Sequence, residues 1–433
     1  MLKKLLLKHV GPVEIMDFTF TRRLNLLTGD NSLGKTLVLD VAWWVLTRNW
    51  AGLPALPRYR MLGDISKTYL PQIHYTLKAE PLTSITGNFD PKTQHWKTED
   101  NNRPLMPSLI IYARADGGFS VLDSARNHPI SLNRLEARQP SSAFHFSTQT
   151  VFNGLSDGKK IVSNGLLQDW LWWQSRETEI FEVLTSILAE LSPSSDLIKP
   201  GEKTVRLSLD DIRDIPTIRL SYGDVPLLHL SAGMKRIIAL AYIMVWAWSE
   251  HLKASALLEQ TPTHQMVLLL DEAEAHLHPQ WQRRILPALL SVVRYLRSDL
   301  AVQIIAGTHA PLILASVEPE FNPATDCLFH FYLEKQNVNV EKLPWAKHGD
   351  ATGWLVSEIF GLKQARSLEA EQAIDAATHL MRSDFGDAFQ QNSIYQQLIK
   401  TLPPEDPFWP RWVMYKEQHH YDSSQKSTRT RRV

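Results

Sequence analysis

Eight residues near the start of the chain dictate a strand, a tight loop and a helix in immediate succession. They are Gly29-Asp30-Asn31-Ser32-Leu33-Gly34-Lys35-Thr36, with the spacing G-x-x-x-x-G-K-[ST]. Asn25-Leu26-Leu27-Thr28 before them suits a buried strand, and Lys35 through Trp44 has helical character. Glycines let the backbone turn so that successive N–H groups face an anion. The helix that follows adds unpaired N–H groups and the positive end of its dipole. Lys35 is expected to reach the outer phosphates of a bound nucleotide, and Thr36 to place its hydroxyl on Mg²⁺.

Three further segments carry chemistry. Met266-Val267-Leu268-Leu269-Leu270 is an apolar run ending in Asp271-Glu272. At a strand end the chain turns, so both acids can reach one site: Asp271 to hold Mg²⁺, Glu272 to polarise an attacking water as general base. Alone, the pair would be two acids at a strand terminus. Leu230-Ser231-Ala232-Gly233 opens an apolar helix and puts a hydroxyl and a close-approach glycine at its N-terminus. Alone, Ser231 is a helix N-cap. Thr308-His309-Ala310-Pro311 follows the buried run Val302 to Ala306, so His309 belongs at the carboxyl edge of a parallel sheet, where ligands bind. Alone, it is an ordinary satisfied polar residue.

Composition narrows the class. Lys plus Arg and Asp plus Glu are 46 each, which argues against a chain coated with basic surface, though not against a local basic patch. Apolar residues at 44% and charged residues at 21% exclude wholesale disorder, and 433 residues suit two to three domains, or one with insertions. The single cysteine, Cys327, permits no internal disulfide and no cysteine-built zinc site, and a reducing cytoplasm is the expected location. The most apolar stretch, Ile237 to Trp248, is shorter than the ~20 residues that span a bilayer. Lys8 and His9 break the N-terminal apolar run well short of a signal peptide, so that run reads as a first strand.

Along the chain, Leu5–Lys8, Val13–Met16 and Phe18–Phe20 suit short strands. Residues 70–150 suggest an antiparallel meander flanking the first sheet, with residues 91–107 an exposed loop. Residues 165–192 suggest a helical run with i, i+3, i+4 apolar steps. Val205–Leu209 and Thr217–Tyr222 suit strands, Ala232–Ser249 and Trp281–Leu296 helices, and Leu328–Leu333 with Val338–Val340 a closing hairpin. Thr352 to about Leu402 is expected to be helical. There is no internal repeat and no long heptad run. The tryptophans on expected helices (Trp43, Trp44, Trp170, Trp172, Trp173, Trp246 and Trp248) read first as core and subunit interface.

In this order the four segments resemble the head of an ABC-type ATPase. Gly29–Thr36 corresponds to Walker A, Leu230–Gly233 to the signature loop, Leu268–Glu272 to Walker B and His309 to the switch histidine. The run Asp271-Glu272-Ala273-Glu274-Ala275-His276-Leu277-His278-Pro279 is similar to the RecF/SMC/OLD-like branch of bacterial AAA ATPases, including those of anti-phage defence modules. The resemblance covers most of residues 1–335. It implies an α/β P-loop fold with a mixed central sheet, an antiparallel β-subdomain, a helical signature subdomain and a helical C-terminal region. The expected limits are 1–340 for the ATPase domain (65–160 a β-rich insert, 165–260 the helical and signature region), 341–420 for the helical C-terminal region and 421–433 for a disordered basic tail.

The resemblance also implies ATP and Mg²⁺ as cofactors. Gly29, Asp30, Asn31, Ser32, Leu33, Gly34, Lys35 and Thr36 would hold nucleotide, and Thr36 and Asp271 the metal. Lys35, Glu272 and His309 would be catalytic, and Ser231 and Gly233 would complete the site of a second copy, making a homodimer with nucleotide between its heads. The implied role is gating of a nuclease or other effector on a separate chain, in bacterial DNA-related defence, with DNA as a further partner and no membrane. The alternatives are a RecF-like repair and recombination ATPase and, less favoured, a transporter's nucleotide-binding subunit. Cohesin-type arms are argued against by the missing heptads.

Some features depart from the pattern. Ser32 stands where a glycine is common, and Met234 and Lys235 replace the usual residues after the signature. Gln149 is the candidate for a glutamine loop, with a polar strand-edge residue as the plain reading. His276 and His278, two apart, do not share a helix face and suit an interface loop better than zinc. Glu369, Glu371 and Asp375 read as a solvated helix face, and Asp384 and Asp387 as its end, rather than as a fused nuclease's acidic set.

Overall fold

The computed structural model describes residues 1–61, 70–77, 83–98, 108–126, 143–195, 197–383 and 388–417. The chain divides into two compact units, Met1–Trp354 and Leu355–Val433. The first unit therefore runs past the limit at 340, because the hairpin and the segment after it fold back onto it: Trp354 is fully buried there and donates its indole N–H to Glu318 at 2.7 Å.

The fold of the first unit is α/β. Short strands β1 (Leu2–Lys8) and β2 (Ile15–Thr19) lead into β3 (Leu24–Gly29), helix α1 (Lys35–Thr47) and the single turn α2 (Arg58–Met61). Strands β4 (Gln72–Leu77), β5 (Thr83–Asp90) and β6 (His95–Thr98) complete an antiparallel sheet of order β2-β1-β4-β5-β6. Strands β7 (Leu109–Ala113), β8 (Phe119–Asp123) and β9 (Phe144–Phe146) belong elsewhere, at one end of the main sheet.

This corrects the expectation of one flanking meander over 70–150. The reason lies in the strands' faces. In β4, buried residues alternate with half-exposed ones, which suits a sheet covered on one side. In β7, Leu109-Ile110-Ile111-Tyr112-Ala113 is buried throughout, which suits a central parallel strand. Part of the expected exposed loop at 91–107 is strand β6, and residues 99–107 lie outside the described residues.

Helix α3 (Thr148–Asn153), the hairpin β10 (Leu155–Asp157) and β11 (Lys160–Ser163), and helices α4 (Leu166–Ser175) and α5 (Thr178–Leu191) follow. The expected single run over 165–192 is thus two helices, broken around Arg176 and Glu177. Strands β12 (Lys199–Val205), β13 (Ile215–Leu220) and β14 (Gly223–Pro226) make a small antiparallel sheet. Val205–Leu209 is not a separate strand: Val205 ends β12, and Leu209 is fully exposed. Helix α6 (Ala232–Leu257) then packs on β7 and β8.

Strand β15 (Gln265–Leu270), helix α7 (Pro279–Leu296), strand β16 (Ala301–Gly307), helix α8 (Pro311–Val317), strands β17 (Asp326–Glu334) and β18 (Asn337–Leu343) and helix α9 (Ala351–Leu355) close the first unit. The main sheet has the order β18-β17-β3-β16-β15-β7-β8-β9. From β17 to β7 the neighbours are parallel, and β18, β8 and β9 add antiparallel edges. The mixed central sheet and the hairpin β17–β18 agree with expectation.

Helix α1 is buried almost all round, from Val38 to Thr47, as a helix covered on both sides must be. One apolar cluster joins it to Leu5, Leu7 and Phe18 of the antiparallel sheet and to Val267, Leu269 and Ile305 of the main sheet. The helix that carries Lys35 is therefore clamped between two sheets. The buried Gln303 side chain links the same layers, accepting from Leu2 N at 2.9 Å and donating to the carbonyls of Leu2 and Thr21 at 2.8 and 2.7 Å. Of the seven tryptophans expected in the core or at an interface, six are buried; Trp172 is 53% exposed and has Arg176 near its ring.

In the second unit, α10 (Leu368–Ser383) and α11 (Ala388–Thr401) pack Ala373, Ile374 and Ala377 against Leu398, Leu402, Phe408 and Trp412. Arg366 pairs with the buried Asp406. Glu369, Glu371 and Asp375 lie on α10. Asp384, Asp387 and the expected tail at 421–433 lie outside the described residues.

Candidate functional site

Strands β3, β16 and β15 are adjacent and in parallel register: Gly307 lies opposite Leu27, and Ala306 opposite Leu270. Their carboxyl ends deliver the 29–36 loop, the 308–311 segment and the Asp271-Glu272 pair to one edge of the sheet, as open α/β sheets do for their ligands.

The loop needs left-handed backbone at three places: Gly29 (φ 129), Ser32 (φ 64) and Gly34 (φ 101). A Cβ on Gly29 would sit 2.0 Å from the Phe331 carbonyl oxygen of β17, so only glycine fits there. Ser32 bears the strain that a glycine would avoid. Lys35 is buried, and its ammonium donates to the Gly29 and Asp30 carbonyls at 2.8 and 2.6 Å. Burial lowers its pKa to about 8, against the opposing pull of nearby carboxylates.

Thr36 donates its hydroxyl to Asp271 Oδ1 at 3.2 Å. Asp271 is 2% exposed, and its second oxygen, Oδ2, is buried with no hydrogen-bond partner. Burial raises its pKa to about 6; the Thr36 hydrogen bond opposes this and Glu272 adds to it. A hydroxyl and an orphaned carboxylate oxygen at a sheet edge fit Mg²⁺, which keeps several waters and takes one or two protein oxygens with phosphate. Among the described residues there is no group of three or more His, Cys, Asp or Glu that could hold a metal by itself.

Glu272 has left-handed backbone (φ 49), which turns the chain sharply off the strand. Arg236 of α6 holds this turn, donating to the Asp271 and Glu272 carbonyls at 3.0 and 3.3 Å. His309 is half-buried, and its Nδ1 lies 3.1 Å from the Gly29 carbonyl oxygen. A carbonyl oxygen only accepts, so Nδ1 carries the proton and Nε2 is the nitrogen left for another partner. Burial, then the charge of Lys35, lowers the His309 pKa.

The structure thus brings together Lys35, Thr36, Asp271, Glu272 and His309. Ser231 and Gly233 stand apart from that cluster. Ser231 is exposed and caps α6, accepting from Met234 N at 3.3 Å. Gly233 packs on the turn after Asp271-Glu272: a Cβ there would lie 2.4 Å from the His276 carbonyl oxygen. Gln149 lies exposed in helix α3 and not at a strand edge, because Ser147 caps that helix in a capping box with Thr150. His276 sits in the turn with φ 62, and His278 caps α7, accepting from Gln280 N at 3.4 Å.

Two residues that sequence reasoning gave no role are central to the geometry. Arg236, three residues past Gly233, ties α6 to the acidic turn. Glu274, inside the run from Asp271 to Pro279, accepts from Thr308 Oγ1 at 2.8 Å and from His309 N at 2.5 Å. A further contact is that of Tyr112, which donates to the half-buried Asp40 at 3.0 Å, and burial raises the Asp40 pKa to about 6.

Residues 114–315 match the family described as "AAA domain, putative AbiEii toxin, Type IV TA system". The matched segment takes in Ser231, Gly233, Asp271, Glu272 and His309, while the 29–36 loop precedes it. The chain is similar to the Septu protein PtuA of Bacillus thuringiensis, 23% identical over 423 residues, which are 94% of this chain and 95% of that protein. It is 26% identical over 166 residues to the "Retron Ec83 probable ATPase" of Escherichia coli, 37% of this chain and 26% of that protein. Among solved structures, an Smc head bound to the C-winged helix domain of ScpA aligns with TM-score 0.43 and 12% identity over 79% of this chain and 97% of that one. The recombination mediator protein RecF with ATP aligns with TM-score 0.36 and 13% identity over 79% and 97%. Among the described residues, no helix is long and apolar enough to cross a membrane.

Proposed function

We propose that this chain binds and hydrolyses ATP, closes as a homodimer on the bound nucleotide, and through that closure gates a separate effector, such as a nuclease, in bacterial defence. The observation that carries the ATP-binding part is the pairing of Thr36 with Asp271, whose second oxygen is buried and unpartnered, directly beside the Lys35 loop. Bound Mg²⁺ would neutralise phosphate charge there, held by Thr36 and Asp271. Lys35 would leave the Gly29 and Asp30 carbonyls for the phosphates. Glu272 would take the general-base role toward water. His309 would present Nε2 while Nδ1 stays on Gly29. The exposed Ser231 at the start of α6 is free to meet the nucleotide of a second copy, in a self-complementary pairing. The defence role rests on the similarity to Septu protein PtuA and on the run from Asp271 to Pro279.

Two measurements test the reading together. The purified chain should take up labelled ATP and grow from monomer to dimer with it. Glu272→Gln should lower turnover by ~10²–10⁴-fold and prolong the dimer. A chain that neither takes up ATP nor changes size would end the proposal. Unchanged turnover in Glu272→Gln would remove that residue from its role. Affinity purification of Glu272→Gln with ATP would then bring down the effector chain; hydrolysis stimulated by DNA with no such chain would favour the recombination reading instead.

A further inference from the structure

The carboxylate of Glu274 is spent wholly on the segment that carries His309. Its Oε2 accepts from the hydroxyl of Thr308, and its Oε1 from the backbone N–H of His309. Thr308 is fully buried, and its oxygen also accepts from Ala310 N at 3.1 Å. The hydroxyl hydrogen therefore points at Glu274 and a lone pair at Ala310, which gives the Thr308 side chain a single orientation. Thr308 N in turn donates to Leu27 O at 3.0 Å, and Ala273 N to Gly307 O at 3.3 Å. The acidic turn after β15 and the turn after β16 are thus stitched together by both backbone and side chain. Charge-assisted hydrogen bonds of this kind are about twice as strong as neutral ones.

The consequence is positional. His309 holds Gly29 through one nitrogen only, which leaves its ring able to swing unless its own backbone is fixed. Glu274 supplies that fixation from the segment that also bears Asp271 and Glu272. We infer that Glu274 is a positioning residue of the ATPase site, setting where His309 Nε2 stands relative to Glu272. The inference rests on the reading of this site as an ATPase. It requires no contact between Glu274 and nucleotide.

The test uses the full chain and four variants: Glu274→Ala, Glu274→Gln, Thr308→Val, and Glu274→Ala with Thr308→Val. Steady-state hydrolysis with Mg²⁺ and ATP gives kcat and KM. Amide hydrogen exchange over residues 307–311, without nucleotide, reads the fixation directly. Glu274→Ala should lower kcat by ~10–100-fold with KM within about threefold, since Glu274 makes no hydrogen bond to the Lys35 loop. Glu274→Gln should recover kcat to within about fivefold of wild type, because its amide oxygen still accepts from His309 N–H. The double variant should be no slower than Glu274→Ala alone, because both changes remove one interaction. Exchange of the segment should quicken by about tenfold or more in Glu274→Ala.

Unchanged exchange in Glu274→Ala would overturn the inference. So would a kcat within twofold of wild type, or a loss that falls on KM. A wild-type chain without hydrolysis would end the ATPase reading and the positioning role built on it, while the exchange measurement would still decide whether Glu274 holds the His309 segment.

Discussion

Asp271→Asn should shift the stability of the nucleotide-free protein in its favour as pH rises, while ending the Mg²⁺-dependent hydrolysis proposed above. The structure buries this carboxylate with one oxygen unpartnered, and its pKa rises from 3.8 to about 6. Between those two values the unfolded chain has lost the proton and the folded chain keeps it. The folded state binds more protons there, so stability falls as pH rises through that window and levels off above it. At 1.36 kcal/mol per decade, the ionised carboxylate costs the fold about 3 kcal/mol at pH 8 and about half of that at pH 5. Asparagine removes the charge and can still accept from Thr36. Its buried NH₂ finds no partner, which offsets the gain by ~1–3 kcal/mol.

That offset does not depend on pH, so the difference between two pH values isolates the ionisation. The variant's advantage over wild type should be about 1–1.5 kcal/mol larger at pH 8 than at pH 5. Thermal melts of both proteins at the two pH values, with chelator and without nucleotide, would show this as a difference of a few degrees. An advantage equal at both pH values, or larger at pH 5, would refute the assignment of Asp271 as a carboxylate that waits, desolvated, for a cation.

Lys35 should make nucleotide affinity fall as pH rises. Its pKa, lowered to about 8, leaves it mostly protonated at pH 7 and mostly neutral at pH 9. The apparent Kd for ATP should therefore rise by up to about tenfold over that interval. Fluorescent-nucleotide titration reads it, and a flat profile would separate Lys35 from phosphate binding. Gly29→Ala should abolish binding and lower the melting temperature, since its Cβ would meet the Phe331 carbonyl at 2.0 Å with φ at 129. A folded variant with wild-type affinity would show that β17 does not confine the loop.

The local chemistry was legible because it depends on short-range pattern. A buried strand running into Gly29, a helix from Lys35 and an apolar run ending at Asp271 are statements about neighbours along the chain, and the structure has all three elements. The single meander over 70–150 failed for the same reason. Strand sequences look alike one at a time; whether Leu109–Ala113 pairs with β6 or with β15 is decided by partners 157 residues away. Gln149 lies in a helix and not at a strand edge because the capping box from Ser147 to Thr150 outweighs the apparent strand context.

By itself the sequence determined the strand–loop–helix around Gly29 to Thr36, the position of Lys35, the acid pair, the strand ends that bear them and the absence of an internal disulfide. These follow from spacing and residue type, which need no knowledge of distant contacts. Only the tertiary structure decided that β3, β16 and β15 lie side by side, so that Thr36 meets Asp271 and His309 meets Gly29. Only it showed Glu274 bound to the His309 segment and Arg236 bound to the acidic turn. Those interactions join residues about 35 positions apart along the chain, or more than 200 for Thr36 with Asp271 and His309 with Gly29, through hydrogen bonds that form once the parallel register is set.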